Sequence, residues 1–155
     1  MKKLLLLVLL SVMGTSTFAA SNCSITYNAD DKLTAIIKEN KFEFDNYDAV
    51  CQRLKSANAA IKFTYNTGTS DRETTSVVIA TVKDKNLPIE SNWYNPSMWS
   101  NPEQSSSVEK DLLIAAVNKA LSKINQKDID GLNENRKKLG FQTYPASTNT
   151  KSNKK

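Results

Sequence analysis

Residues 74–82, TTSVVIATV, are β-branched almost throughout and apolar at Val77, Val78, Ile79 and Val82, so both faces of an extended chain carry hydrocarbon there. Branching at Cβ stiffens the side chain, disfavours a helix and fits a pleated surface. The run therefore predicts the more buried strand of a sheet. Just before it, in AIKFTYN, Ile61, Phe63 and Tyr65 alternate with Lys62, Thr64 and Asn66, the period of a strand with one wet face. TGTSDRE between them is a turn cluster, and the two runs read as an antiparallel β-hairpin.

Around the hairpin the period is helical. NADDKLTAIIKEN offers Asn28 as a cap, Asp30 and Asp31 for the first turn, and Leu33, Ile36 and Ile37 as a buried stripe. DNYDAVCQRLKSAN, capped by Asp45 or Asn46, places Tyr47, Val50, Cys51, Leu54 and Ala57 on one face. Between these helices Phe42 and Phe44 share one side of a short extended piece, and Cys23–Tyr27 alternates like a short edge strand. After the hairpin, Ser106 followed by Glu109 suggests a capping box opening a long helix. Its wide apolar face runs from Val108 through Leu112, Leu113, Ala116, Val117, Ala120 and Leu121 to Ile124. A final short helix carries Ile129, Leu132 and Leu139, with Gly140 as its C′ residue and Phe141 folding back. The expected fold is α+β: two N-terminal helices, a β-hairpin in a small antiparallel sheet, a long C-terminal covering helix and a short final helix.

The ends have a different character. Lys2 and Lys3 precede an apolar run from Leu4 to Met13, which predicts a bacterial-type secretory signal peptide over residues 1–20, cleaved near 19–21. An apolar run this short does not cross a hydrocarbon core of about 30 Å as a helix. Asn22 before Cys23 argues against a lipid anchor, which wants a small residue there. Residues 21–141 then form one domain, and 142–155 a disordered basic tail. The expected location is periplasmic or secreted. In that oxidising compartment Cys23 and Cys51 predict a structural disulfide.

Several chemistries are excluded. The chain has no histidine, which removes Ser–His–Asp triads, Cys–His dyads and His-based zinc sites. No glycine-rich phosphate loop is present. Of 21 basic side chains, Lys2, Lys3, Lys151, Lys154 and Lys155 lie at the ends; the remaining 16 balance 16 acidic ones, so the body lacks the basic footprint of a nucleic-acid binder. The carboxylate pairs Asp30/Asp31, Asp45/Asp48 and Asp71/Glu73 fall at helix starts and in a turn. Ser105, Ser106 and Ser107 lack an activating base beyond Lys110 and read as capping residues. Asp128, Asp130 and Glu134 fall short of a calcium loop. No catalytic residue, metal ligand or cofactor is expected.

One segment remains, SNWYNPSMWSNPEQSSSV at residues 91–108. Its last part, from Ser105 on, is the helix start already described; the rest shows neither helical nor strand period and reads as a loop. Trp93, Tyr94, Met98 and Trp99 either grip a ligand or turn inward to plug the end of the core, and the plug is the stronger expectation for so small a core. The function expected is a small exported, disulfide-stapled binding or interaction protein without catalysis. Its partner would be another envelope or secreted protein that it binds or neutralises. The alternatives are a carboxylate-dependent hydrolase acting on cell-wall glycan and a passive envelope or surface component.

Overall fold

A computed structural model describes residues 23–145. The expected signal peptide and the basic residues beyond 145 lie outside the described residues. The elements run β1 (Tyr27–Asn28), α1 (Asp31–Asn40), α2 (Tyr47–Ser56), β2 (Ala59–Thr69), β3 (Thr74–Asp84), β4 (Glu90–Asn101), α3 (Ser106–Ser122) and α4 (Gln126–Lys138). The class is α+β, as the sequence predicts, but the sheet is larger than a hairpin and is mixed. Its four strands lie in the order β1-β2-β3-β4, with β1 parallel to β2 and the other pairs antiparallel.

β3 is flanked on both sides, as its apolar character requires. Its even-numbered residues Val78, Ala80 and Val82, with Ile61 and Phe63 of β2, join one core cluster with Val50, Cys51 and Leu54 of α2, Leu113, Ala116, Val117, Ala120 and Leu121 of α3, and Ile129 and Leu132 of α4. Val77 and Ile79 point the other way, are half-buried, and belong to no core cluster. α2, α3 and α4 thus cover one face of the sheet, with α1 packed against α3, and the face carrying Lys62, Thr64 and Asn66 stays open, as expected.

The disulfide Cys23–Cys51 is present, with the Cα atoms 6.0 Å apart. It clips the N-terminal arm onto α2, and the Tyr47 hydroxyl donates to the Cys23 carbonyl 3.1 Å away in the same corner. The arm is less regular than expected: only Tyr27–Asn28 pairs as a strand, while Cys23 and Ile25 are buried in the core.

Several caps differ from expectation. Asp30, not Asn28, caps α1, accepting from the Leu33 N–H at 2.8 Å. Asn46 precedes α2 without a side-chain cap, because its amide donates instead to the Ser122 carbonyl at the end of α3. Ser105, not Ser106, caps α3. Glu109 therefore lies one position too late for a capping box, and its carboxylate instead accepts from Lys32 and from the Thr67 hydroxyl. The reciprocal box forms on α4, between Asn125 and Asp128.

At its other end α4 closes as predicted, with Gly140 at φ 77° and the Phe141 N–H reaching the Arg136 carbonyl. Leu139 is exposed rather than buried, since it occupies the C-cap where the helical face no longer points at the sheet. The chain continues in contact past Phe141: Asn133 donates to the Tyr144 carbonyl and accepts from its N–H.

Arg136 holds this end together. Its guanidinium is completely buried, donates to the Asp84 carboxylate and the Asn133 side chain, and reaches the Ala57 and Asn58 carbonyls. A buried charge is tolerated only when paired and hydrogen-bonded, and this one is. It ties the α2–β2 turn, the end of β3 and α4 to one point.

Candidate binding edge

The aromatic part of the segment read as a loop, residues 91–101, is a strand. β4 pairs with β3 from Thr74↔Asn101 to Thr81↔Tyr94, then bulges before Lys83↔Glu90. Along it the burial pattern is inverted. The buried residues are the small or polar Ser91, Asn95 and Ser97, while Trp93, Tyr94, Met98 and Trp99 are exposed by 44, 66, 65 and 45%. Inward positions are small because α3 and α4 lie close against this strand, and their buried polar groups are satisfied. Asn95 donates to the Asp128 carboxylate over 2.7 Å, tying the strand to the capping box of α4.

The pleat sends the four large side chains to different places. Tyr94 and Met98 stand opposite Thr81 and Val77, on the open face of the sheet beside Ile79 and Pro96. Trp93, within the bulge, reaches α4: its ring lies against Gly131, and Lys127 places its ammonium 3.3 Å from the ring centroid. A cation over an indole face is attracted by the ring quadrupole. Trp99 shares the helix side with Ser97 but lies at the rim beside Lys119. The expectation that the tryptophans plug the core is therefore not met. They lean on the helices from outside and keep nearly half of their surface.

β4 is also an outer edge of the sheet, and this edge is blocked at its middle. Pro96 sits mid-strand without an N–H, and its carbonyl accepts from the Lys123 ammonium. Proline and lysine at an edge are the usual obstacles to further strand pairing. Lys119, Lys123 and Lys127 recur every four residues along the helix side of this edge, each against a residue of β4. Their four-residue spacing is visible in the chain, but nothing local in the sequence marks them as neighbours of β4.

Several of the carboxylates have structural roles. Asp30 caps α1 and accepts from the Tyr65 hydroxyl, and these bonds hold its carboxyl below the ordinary value. Lys32 and Thr67 do the same for Glu109, and Lys138 for Glu134. Burial pushes the Asp84 carboxyl up, but the N–H groups of Asn86 and Leu87 and the Arg136 guanidinium more than offset it, and the net direction is down. A general acid at neutral pH needs the opposite shift. Asp128 is held by Asn95 and the Asn125 N–H, Asp130 accepts from Gln126, and Glu134 pairs with Lys138. Among the described residues no group of three His, Cys, Asp or Glu side chains is placed to hold a metal ion, and no helix is long and apolar enough to cross a membrane.

Fold and edge together define a mixed four-stranded sheet with helices on one face and an aromatic, lysine-lined outer strand. No known protein family, curated protein or solved structure matches the chain.

Proposed function

We propose that the protein is a non-catalytic binding module that works outside the cytoplasm and takes hold of another protein through β4 and the open face of the sheet. The observation that carries this reading is the inverted burial of β4, with its large apolar side chains outside and its small ones inside. A strand that served only to complete the sheet would put Tyr94 and Met98 on the helix side. Exposed aromatic and methionine side chains grouped on a rigid element are the composition of interface centres. The strand is rigid because pairing with β3 and the Asn95–Asp128 bond fix it from two directions. The disulfide and the lysine-led leader support the location.

The test compares two immobilised baits, the native protein and the Tyr94→Ala/Met98→Ala variant, exposed to envelope extract and culture fluid with mass spectrometry of what is retained. Both residues are about two-thirds exposed, so the variant should keep its thermal stability. The reading expects a protein held by the native bait and released by the variant. Identical retention by both baits, or no retention by either, would sink it.

A further inference from the structure

Beside β4 runs a groove of about 490 Å³. It is lined by the apolar side chains of Val77, Pro96, Met98 and Trp99 together with Ser97, Lys119 and Lys123. Neither lysine has a carboxylate partner among the described residues. Two like charges four residues apart repel each other, and nothing within the groove offsets them. Lys123 is held in place by the Pro96 carbonyl, which uses one of its three donors and leaves two for a ligand. Lys127, fixed over Trp93, extends the positive row along the same edge.

We propose that this groove receives an acidic segment of the partner protein, with carboxylates at Lys119 and Lys123 and apolar side chains laid on Pro96, Met98 and Trp99. The inference rests on the protein-binding reading above and adds the chemistry of what is bound. Charge complementarity selects the acid, and the apolar lining selects a segment that alternates acids with large hydrophobic residues. The segment docks by its side chains and does not extend the sheet, because Pro96 offers no N–H and Lys123 occupies its carbonyl. An anionic bilayer fits less well. Tyr94 stands on the open face of the sheet and Trp93 lies against α4, so one plane does not collect both.

The probe is a random peptide library displayed on phage, selected on the disulfide-intact protein, with enriched sequences synthesised and titrated. Enriched peptides should carry Asp or Glu beside Leu, Phe or Trp. Their Kd should rise roughly tenfold or more for Lys119→Glu/Lys123→Glu, weaken with added salt, and recover for Lys119→Arg/Lys123→Arg. The melting temperatures of these variants, measured in parallel, separate lost binding from lost folding. Peptides without acidic bias that still depend on Tyr94 and Met98 would overturn this inference and leave the protein-binding reading standing. No enrichment on any face would overturn both. Capture of phosphatidylglycerol vesicles, or concentration-dependent self-association through the same lysines, in place of peptide binding would assign the groove to a membrane or to a second copy and so overturn it as well.

Discussion

Trp93 lies against Gly131 so closely that a methyl group on the glycine would meet the indole Cδ1 at 2.8 Å and the Ser91 hydroxyl oxygen at 2.7 Å. Glycine inside a helix costs about 1 kcal/mol relative to alanine, so its presence in α4 reflects the neighbour, not the helix. Gly131→Ala should push the indole outward. Overpacking of about 1–3 kcal/mol, less the propensity gain, leaves a net loss of roughly 1 kcal/mol. Denaturant melts should show that loss together with a red shift in native tryptophan emission; a stabilised variant with unchanged emission would contradict the contact.

Arg136→Ala strands the Asp84 carboxylate in the interior, since both partners are almost wholly buried. The expected loss is about 3–5 kcal/mol at neutral pH. The folded Asp84 carboxyl lies below its ordinary value in the native protein, so its contribution is complete above the unfolded value near 3.9 and fades as pH falls toward the folded one. Chemical denaturation at several pH values from neutral downward should therefore show the penalty of the variant narrowing in acid. A penalty that does not vary with pH would mean that Asp84 is not the group left uncompensated.

Tyr65 ionises late. Burial and its hydrogen bonds to Asp30 push the hydroxyl up to about 12. A raised acid of this kind contributes stability that is complete below its unfolded value near 10 and is lost as pH climbs through the folded one. Ultraviolet titration should reveal a phenolate step near pH 12 that disappears in Tyr65→Phe. Persistence of that step in the variant would assign it elsewhere.

Joining residues 28 positions apart, the disulfide removes chain entropy from the unfolded state worth about 3–4 kcal/mol. Cys23→Ser/Cys51→Ser should lose stability on that scale while circular dichroism keeps the native helix and strand content. Thiol titration of the unfolded, unreduced native protein should find no free thiol; two would contradict the pairing.

Pro96→Thr/Lys123→Ala restores an N–H and frees a carbonyl at the outer edge of β4. Removal of both obstacles should let this edge pair with another copy. Light scattering should show a mass that rises with concentration for the variant but not for the native chain, and an unchanged mass would mean that the edge is guarded by something else.

The strands β2 and β3 were legible because they obey simple periods: alternation in one, hydrocarbon on both faces in the other. The helices were legible for the same reason, as Leu113, Ala116, Val117 and Ala120 show. β4 was not. Its inward residues are Ser91, Asn95 and Ser97, so reading hydrophobic as buried gives the wrong face, and Pro96 breaks the strand signal where it guards the edge. The site was half legible: Trp93, Tyr94, Met98 and Trp99 stood out by composition, but their split between two faces follows the pleat of a strand that the local pattern does not announce. Arg136 went unnoticed because its partners Asp84, Ala57 and Asn58 lie 52 to 79 positions away in the chain.

Inverted burial separates two kinds of selection. The inner side of β4 answers to the helices, and a larger side chain at Ser97 or Asn95 would disturb their packing. Tyr94 and Met98 answer to no neighbour in the core, so the chain can exchange them at little risk to its own folding. A lineage under pressure from a changing partner could thus revise its contact surface one residue at a time, while the scaffold beneath stays as it is.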